Sequence, residues 1–147
     1  MTKGQWLMNN LGFNPQPPNV MWIDINSCFA TIEQQANPLL RGKPVAVAAF
    51  PTPRGCILAA SVEAKKLGIK TGMRVAEGRA IYPKLVVLSP DPAKYRAVHL
   101  KLRRLLETYS PEVIPKSIDE FSLKLKNSKN QKRQAIEIKQ KIKEKIG

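Results

Sequence analysis

Acids are scarce in this chain, 11 Asp and Glu against 25 Lys and Arg in 147 residues, so an acid in a strand or tight turn is informative. Asp24 follows the apolar run Val20-Met21-Trp22-Ile23, where burial without a partner is costly. Asp119 and Glu120 are adjacent within Ser117-Ile118-Asp119-Glu120-Phe121. Neighbouring side chains of a regular strand point to opposite faces, so a turn or bulge is needed to bring both to one place. Three carboxylates on neighbouring strands repel one another unless a cation lies between them. An oxygen-only donor set, without His or Cys, suits magnesium. Two such ions, about 3.5 to 4 Å apart, make the two-metal arrangement for in-line phosphoryl transfer. The plainer alternative is a polar turn at Asp119-Glu120 and an Asp24 that only caps the next helix.

The elements that must carry these residues follow from pattern. Val20 to Ile25 reads as a buried strand, and Ser27 as the N-cap of a short helix over Cys28 to Gln35 that Pro38 ends. Val45 to Ala49 and Cys56 to Ala60 read as short strands joined by a Pro/Gly loop. Ser61 is a second N-cap, for Val62 to Leu67, with Gly68 as its stop. Val75 to Ile81 predicts a helix, Leu85 to Leu88 a strand, and Pro92 to Tyr109 a long helix striped by Tyr95, Val98, Leu102, Leu105 and Leu106. Val113 to Ser117 and Phe121 to Leu125 predict a hairpin. Asn130 to Ile146 predicts an amphipathic helix turning Ala135, Ile138, Ile142 and Ile146 inward. The fold class is α/β (α+β) with a mixed, mainly antiparallel sheet. Residues 1–19, rich in Pro and Asn, read as a flexible extension. A lysine-rich helix closes the chain where a sheet of few strands lacks a last strand, which predicts an exposed sheet edge.

The net charge of +14 makes a polyanion the leading partner class. Fourteen basic residues against three acids lie between Arg41 and Arg104, so the excess is no simple tail; it suits tracking a phosphate backbone, or else a solvated surface. No apolar run approaches the ~18 residues of a membrane span. Cys28 and Cys56 make neither a disulfide scaffold nor a zinc set, and read as two reduced, small packing residues of a cytoplasmic protein. His99, mid-helix with no second ligand at metal spacing, reads as a surface or half-buried helix residue.

From Met21 to Leu125 four blocks carry a resemblance. They are Trp22-Ile23-Asp24-Ile25-Asn26-Ser27-Cys28-Phe29-Ala30-Thr31-Ile32-Glu33; Leu40-Arg41-Gly42-Lys43-Pro44-Val45-Ala46-Val47; Arg54-Gly55-Cys56 followed by Ala60 to Met73; and Ser117-Ile118-Asp119-Glu120. In that order they resemble the first part of the Y-family translesion DNA polymerases, the DinB/UmuC group. The resemblance implies that Asp24, Asp119 and Glu120 are the catalytic metal ligands, with the Ile25 carbonyl, for two Mg2+ ions. Phe29 matches the steric gate that blocks a ribonucleotide's 2′-OH. Cys28, Phe29, Ser61 and Lys65 match nucleotide-binding positions, and Gly55, Cys56, Ala59 and Ala60 the small residues facing the nascent base pair.

On this likeness residues 20–36 and 92–147 form an incomplete palm and 37–91 the fingers. The implied partners are primer-template DNA, a deoxynucleoside triphosphate, the missing polymerase C-terminal portion and a sliding clamp, in SOS-type DNA repair and without a membrane. The sequence departs from many DinB-type members in having Val62 and Lys65 where they carry a triphosphate-gripping Tyr and Arg. After Glu120 it reads Phe-Ser-Leu-Lys rather than Ala-Phe-Leu-Asp. Further palm strands, thumb and little finger are not in the chain, so the alternative is a catalytically incomplete nucleic-acid-binding module, truncated or one piece of a split protein.

Overall fold

The computed structural model describes residues 19–125 and 131–146, so the extension expected over 1–19 lies almost wholly outside the described residues. Two three-stranded sheets organise the chain. In chain order the elements are β1 (Val20–Asp24), α1 (Cys28–Ala36), a 3-10 turn (Pro38–Leu40), β2 (Val45–Ala48), β3 (Ile57–Ala60), α2 (Val62–Lys66), α3 (Val75–Ile81), β4 (Val86–Leu88), α4 (Pro92–Glu107), β5 (Val113–Pro115), β6 (Glu120–Lys124) and α5 (Gln131–Ile146).

The first sheet has the order β1-β6-β5 and is antiparallel throughout. Its buried face meets α4 and α5: Ile23, Phe121 and Leu123 pack with Leu102, Leu106 and Ile138, all from positions at strand or helix period. Of the residues expected to face inward on α5, Ile138 is fully buried and Ala135 and Ile142 partly so, while Ile136, off that stripe, is 66% exposed. Ile146 lies outside the described side chains.

The expectation of a buried first strand is corrected. Only Ile23 of β1 is buried, and Val20 and Trp22 stand more than half exposed. β1 is an edge strand with one packed face, so alternate residues face solvent. Apolar residues on both faces hid that alternation in the sequence. Lys116 Nζ lies 5.8 Å from the centre of the exposed Trp22 ring.

The second sheet, β3-β2-β4, pairs β2 with β3 antiparallel and with β4 in parallel. The parallel pair needs a crossover, which α2 and α3 provide. Its small core is Ala46, Ala48, Ile57, Ala60, Ala64, Ile69, Val75 and Leu85.

The two serines read as N-caps behave differently. Ser61 accepts from Ala64 N at 3.2 Å and from Val45 N at 2.9 Å, joining α2 to β2. Ser27 has φ 53° and makes no capping hydrogen bond; its hydroxyl reaches only Asn26 Oδ1, at 3.4 Å. Ser27 is thus no cap, because a left-handed backbone does not hold the side chain over the first-turn amides. Gly68 stops α2 at φ +95°, with Ile69 N donating to Ala64 O.

Candidate functional site

Antiparallel pairing of β1 with β6 sets Asp24 directly opposite Glu120. Asp119 lies in the bend 117–119 just before β6, free of the strand alternation that would turn it away from its neighbour. Ile25 N donates to Asp119 O at 3.0 Å, stitching the end of β1 to that bend, and Ser117 Oγ donates to Asp119 Oδ1 at 2.8 Å. His99 on α4 supports the bend from below: its Nδ1 is 2.8 Å from Ile118 O, and its ring stacks on Phe121. One carboxylate oxygen from each of Asp24, Asp119 and Glu120 lies within 4.8 Å of the others. No ion pair to any of the three is found among the described residues. Like charges placed opposite one another in a sheet are destabilising, so the cluster gathers negative potential without compensation.

Beside it opens a cleft of about 240 Å³ between the two sheets. One wall is Asp24 to Phe29 with Asp119, and the other is Leu58, Ala59, Lys65 and Thr71. Lys65 Nζ crosses the cleft to donate to Asn26 Oδ1 at 2.9 Å. The N-terminus of α1 opens into the cleft with no side chain capping its amides, which leaves donors for an anion. Burial first, then the charges of Asp119 and Asp24, push the Cys28 thiol up to about 12. Cys28 is therefore a protonated, buried packing residue.

Phe29 is half-buried at the floor, its ring stacked on Tyr95 at 4.3 Å between centroids and 9° between planes. Tyr95 donates its hydroxyl to Glu33 Oε1 at 3.0 Å. Burial, ahead of the neighbouring charges, raises the Tyr95 phenol above its ordinary value.

The structure brings some of the residues singled out in the sequence together at the cleft and places others elsewhere. Asp24, Ile25, Cys28, Phe29, Ala59, Lys65 and Asp119 all line the cleft, and Glu120 completes the acidic cluster. Ser61 is fully buried with its hydroxyl committed to backbone amides, so its side chain does not reach the cleft. Ala60 is likewise enclosed in the core of the second sheet. Gly55 is buried and outside the cleft lining; Phe50 O leaves no room there for a Cβ. Cys56 is exposed rather than packed. Val62 lines a second, apolar recess of about 630 Å³ beside β1 and α5, which meets the cleft at Asp24, Ile25 and Asn26. The sequence reading missed Leu58, Thr71 and the Asn26–Lys65 contact as parts of the cleft. It also placed Tyr95 only in a helical core stripe.

Comparison with known proteins places the chain among relatives of one kind. The model of the impB/mucB/samB family matches residues 23–147. The chain is 43% identical over 102 residues to DNA polymerase IV of Pelotomaculum thermopropionicum, covering 69% of this chain and 25% of that protein. It is 34% identical over 128 residues to DNA polymerase IV of Streptococcus pyogenes serotype M28, covering 85% and 35% respectively. Among solved structures, a Y-family DNA polymerase chimera of Dbh and Dpo4 superposes with a TM-score of 0.79 at 30% identity, over 85% of this chain and 39% of that one. The chain thus spans a quarter to about a third of these curated relatives.

Proposed function

The chain belongs to the impB/mucB/samB family, and on that premise we propose that it forms the nucleotidyl-transfer centre of a translesion DNA polymerase. The observation that carries the reading is the convergence of Asp24, Asp119 and Glu120 beside a cleft whose other features fit an anionic nucleotide. Carboxylates and phosphates repel, so a site holding both requires a divalent cation. The oxygen-only donors fit Mg2+: Asp24, Asp119 and Glu120, with the Ile25 carbonyl, would hold two ions. Bound there, the ions would supply neutralisation of phosphate charge and Lewis-acid activation of a primer 3′ hydroxyl.

The chain's own residues do the rest. The uncapped Cys28 and Phe29 amides and the Lys65 ammonium hold the triphosphate, Lys65 as a point charge in place of a forked guanidinium. Phe29 occupies the space that a ribose 2′-hydroxyl would need. Ala59 and the exposed Cys56 present little bulk toward a templating base, which suits tolerance of a misshapen one. In this reading residues 20–36 and 92–147 act as palm and 37–91 as fingers. Primer-template DNA and a deoxynucleoside triphosphate are the partners, with the remaining polymerase portion and a sliding clamp supplying grip. The setting is cytoplasmic, in SOS-type DNA repair; no described helix is long and apolar enough to cross a membrane.

A second reading, a nucleic-acid-binding module that performs no transfer, is favoured by the net charge of +14. Primer extension with deoxynucleotides and Mg2+ separates the two. Slow, distributive incorporation that Asp24→Ala abolishes and that Phe29→Ala opens to ribonucleotides supports the polymerase. DNA binding without incorporation at any metal or salt concentration supports the module, since the 3′ oxygen must be held about 3 to 3.5 Å from the phosphorus to react.

A further inference from the structure

Glu33 lies one helical turn after Phe29, does not line the cleft, and is only 7% exposed. A carboxylate in such a place needs partners, and it has two. Tyr95 donates to Oε1 at 3.0 Å, and Lys94 Nζ to Oε2 at 2.9 Å. Lys94 also lies 3.7 Å from Asp91, the residue whose side chain caps α4 by accepting from Lys94 N at 3.2 Å. Both Glu33 oxygens are therefore committed to α4, at the point where the Tyr95 ring leaves that helix to lie under Phe29.

Residues four apart share one face of a helix, so Phe29 and Glu33 present a ring and a carboxylate side by side. Tyr95 meets both at once, its face against the Phe29 ring and its hydroxyl on Glu33. The terminal torsion of a phenylalanine is soft, so the plane of its ring is set by what it lies against. Tyr95 sets that plane here. Tyr95 is itself 2% exposed, and its hydroxyl is fixed through Glu33.

We propose that Glu33, acting through Tyr95, is the positioning residue that holds the Phe29 ring at the height where it rejects a ribose 2′-hydroxyl. This rests on the polymerase reading of the cleft. Sugar selection then depends on a carboxylate that never meets the nucleotide, together with the ammonium of Lys94 that holds it in place.

The test uses the full chain and three variants, Glu33→Ala, Glu33→Gln and Tyr95→Phe. Aromatic NMR reads the Phe29 ring resonances, and titration with Mg2+ and either dATP or ATP reads the ratio of the two dissociation constants. Glu33→Ala and Tyr95→Phe should both shift the Phe29 resonances and lower the preference for dATP by about tenfold, the size expected when a hydrogen bond to a charged group is lost. Tyr95→Phe keeps the stacked ring and is the guard against a folding defect. Glu33→Gln keeps an acceptor for the tyrosine and should retain most of the preference. A folded Glu33→Ala chain with unchanged Phe29 resonances and an unchanged ratio overturns the proposal alone. Failure of the wild-type chain to bind either nucleotide overturns the polymerase reading, and the selectivity with it.

Discussion

Replacing Ser61 by alanine tests how the second sheet is fastened. The hydroxyl is fully buried and accepts two backbone N–H groups, from Ala64 in the first turn of α2 and from Val45 at the start of β2. Loss of an N-cap costs about 1 kcal/mol. Val45 is itself fully buried, so its freed N–H finds no water and adds about 1 to 3 kcal/mol for an unsatisfied donor. The sum, about 2 to 4 kcal/mol, corresponds to a fall of roughly 5 to 15 °C in Tm for a chain of this size. Ser27, the residue at the matching place before α1, makes no capping bond, and Ser27→Ala should change stability by less than about 0.5 kcal/mol. Both variants are measured by thermal and urea unfolding followed by circular dichroism. Equal losses for the two serines, or a Ser61→Ala loss below about 1 kcal/mol, would mean that this hydroxyl does not fasten α2 to β2.

With a thiol reagent at pH 8, the exposed Cys56 should react within minutes while Cys28, buried and with its thiol pushed up to about 12, reacts only on unfolding; two thiols reacting at one rate would count against the packing of α1. The Tyr95 phenol is raised in the fold, so folding stability should be intact below the ordinary phenol value of about 10 and fall as pH rises above it. Its phenolate absorbance should appear together with the unfolding signal at high pH, not before it. Asp119→Ala should keep affinity for DNA, and log affinity should fall linearly with log salt, because the basic excess is spread from Arg41 onward; salt-independent binding in a filter or fluorescence assay would contradict this.

Much of the fold was legible because local signals agreed with the final packing. Val75 to Ile81 forms the helix its pattern predicts, and the stripe of α4 buries Tyr95, Leu102 and Leu106 as its spacing requires. What stayed hidden depends on partners far away in the chain. The exposed face of β1 carries Val20 and Trp22, so hydropathy alone gave no sign of an edge. The parallel pairing of β2 with β4 is a choice of neighbour that neither strand encodes. At the site, the motif blocks pointed to Asp24, Phe29, Asp119 and Glu120, whereas the left-handed Ser27, the burial of Ser61 and the Glu33–Tyr95 bond emerge only once helices and sheets have met.

The pairing of Asp24 with Glu120 has a consequence for how the chain assembles in time. The two lie 120 − 24 = 96 residues apart, and closing a loop of that length costs about 4 kcal/mol in chain entropy before any contact repays it. The second sheet, enclosed within that loop, is built from segments much closer together and can gather first. On a ribosome, β1 waits unpaired until β6 has emerged, and Ile23, buried only in the finished sheet, is open to other chains meanwhile. The acidic cluster is therefore among the last features to form. Until it does, the nascent protein carries its positive surface without the three carboxylates gathered beside the cleft.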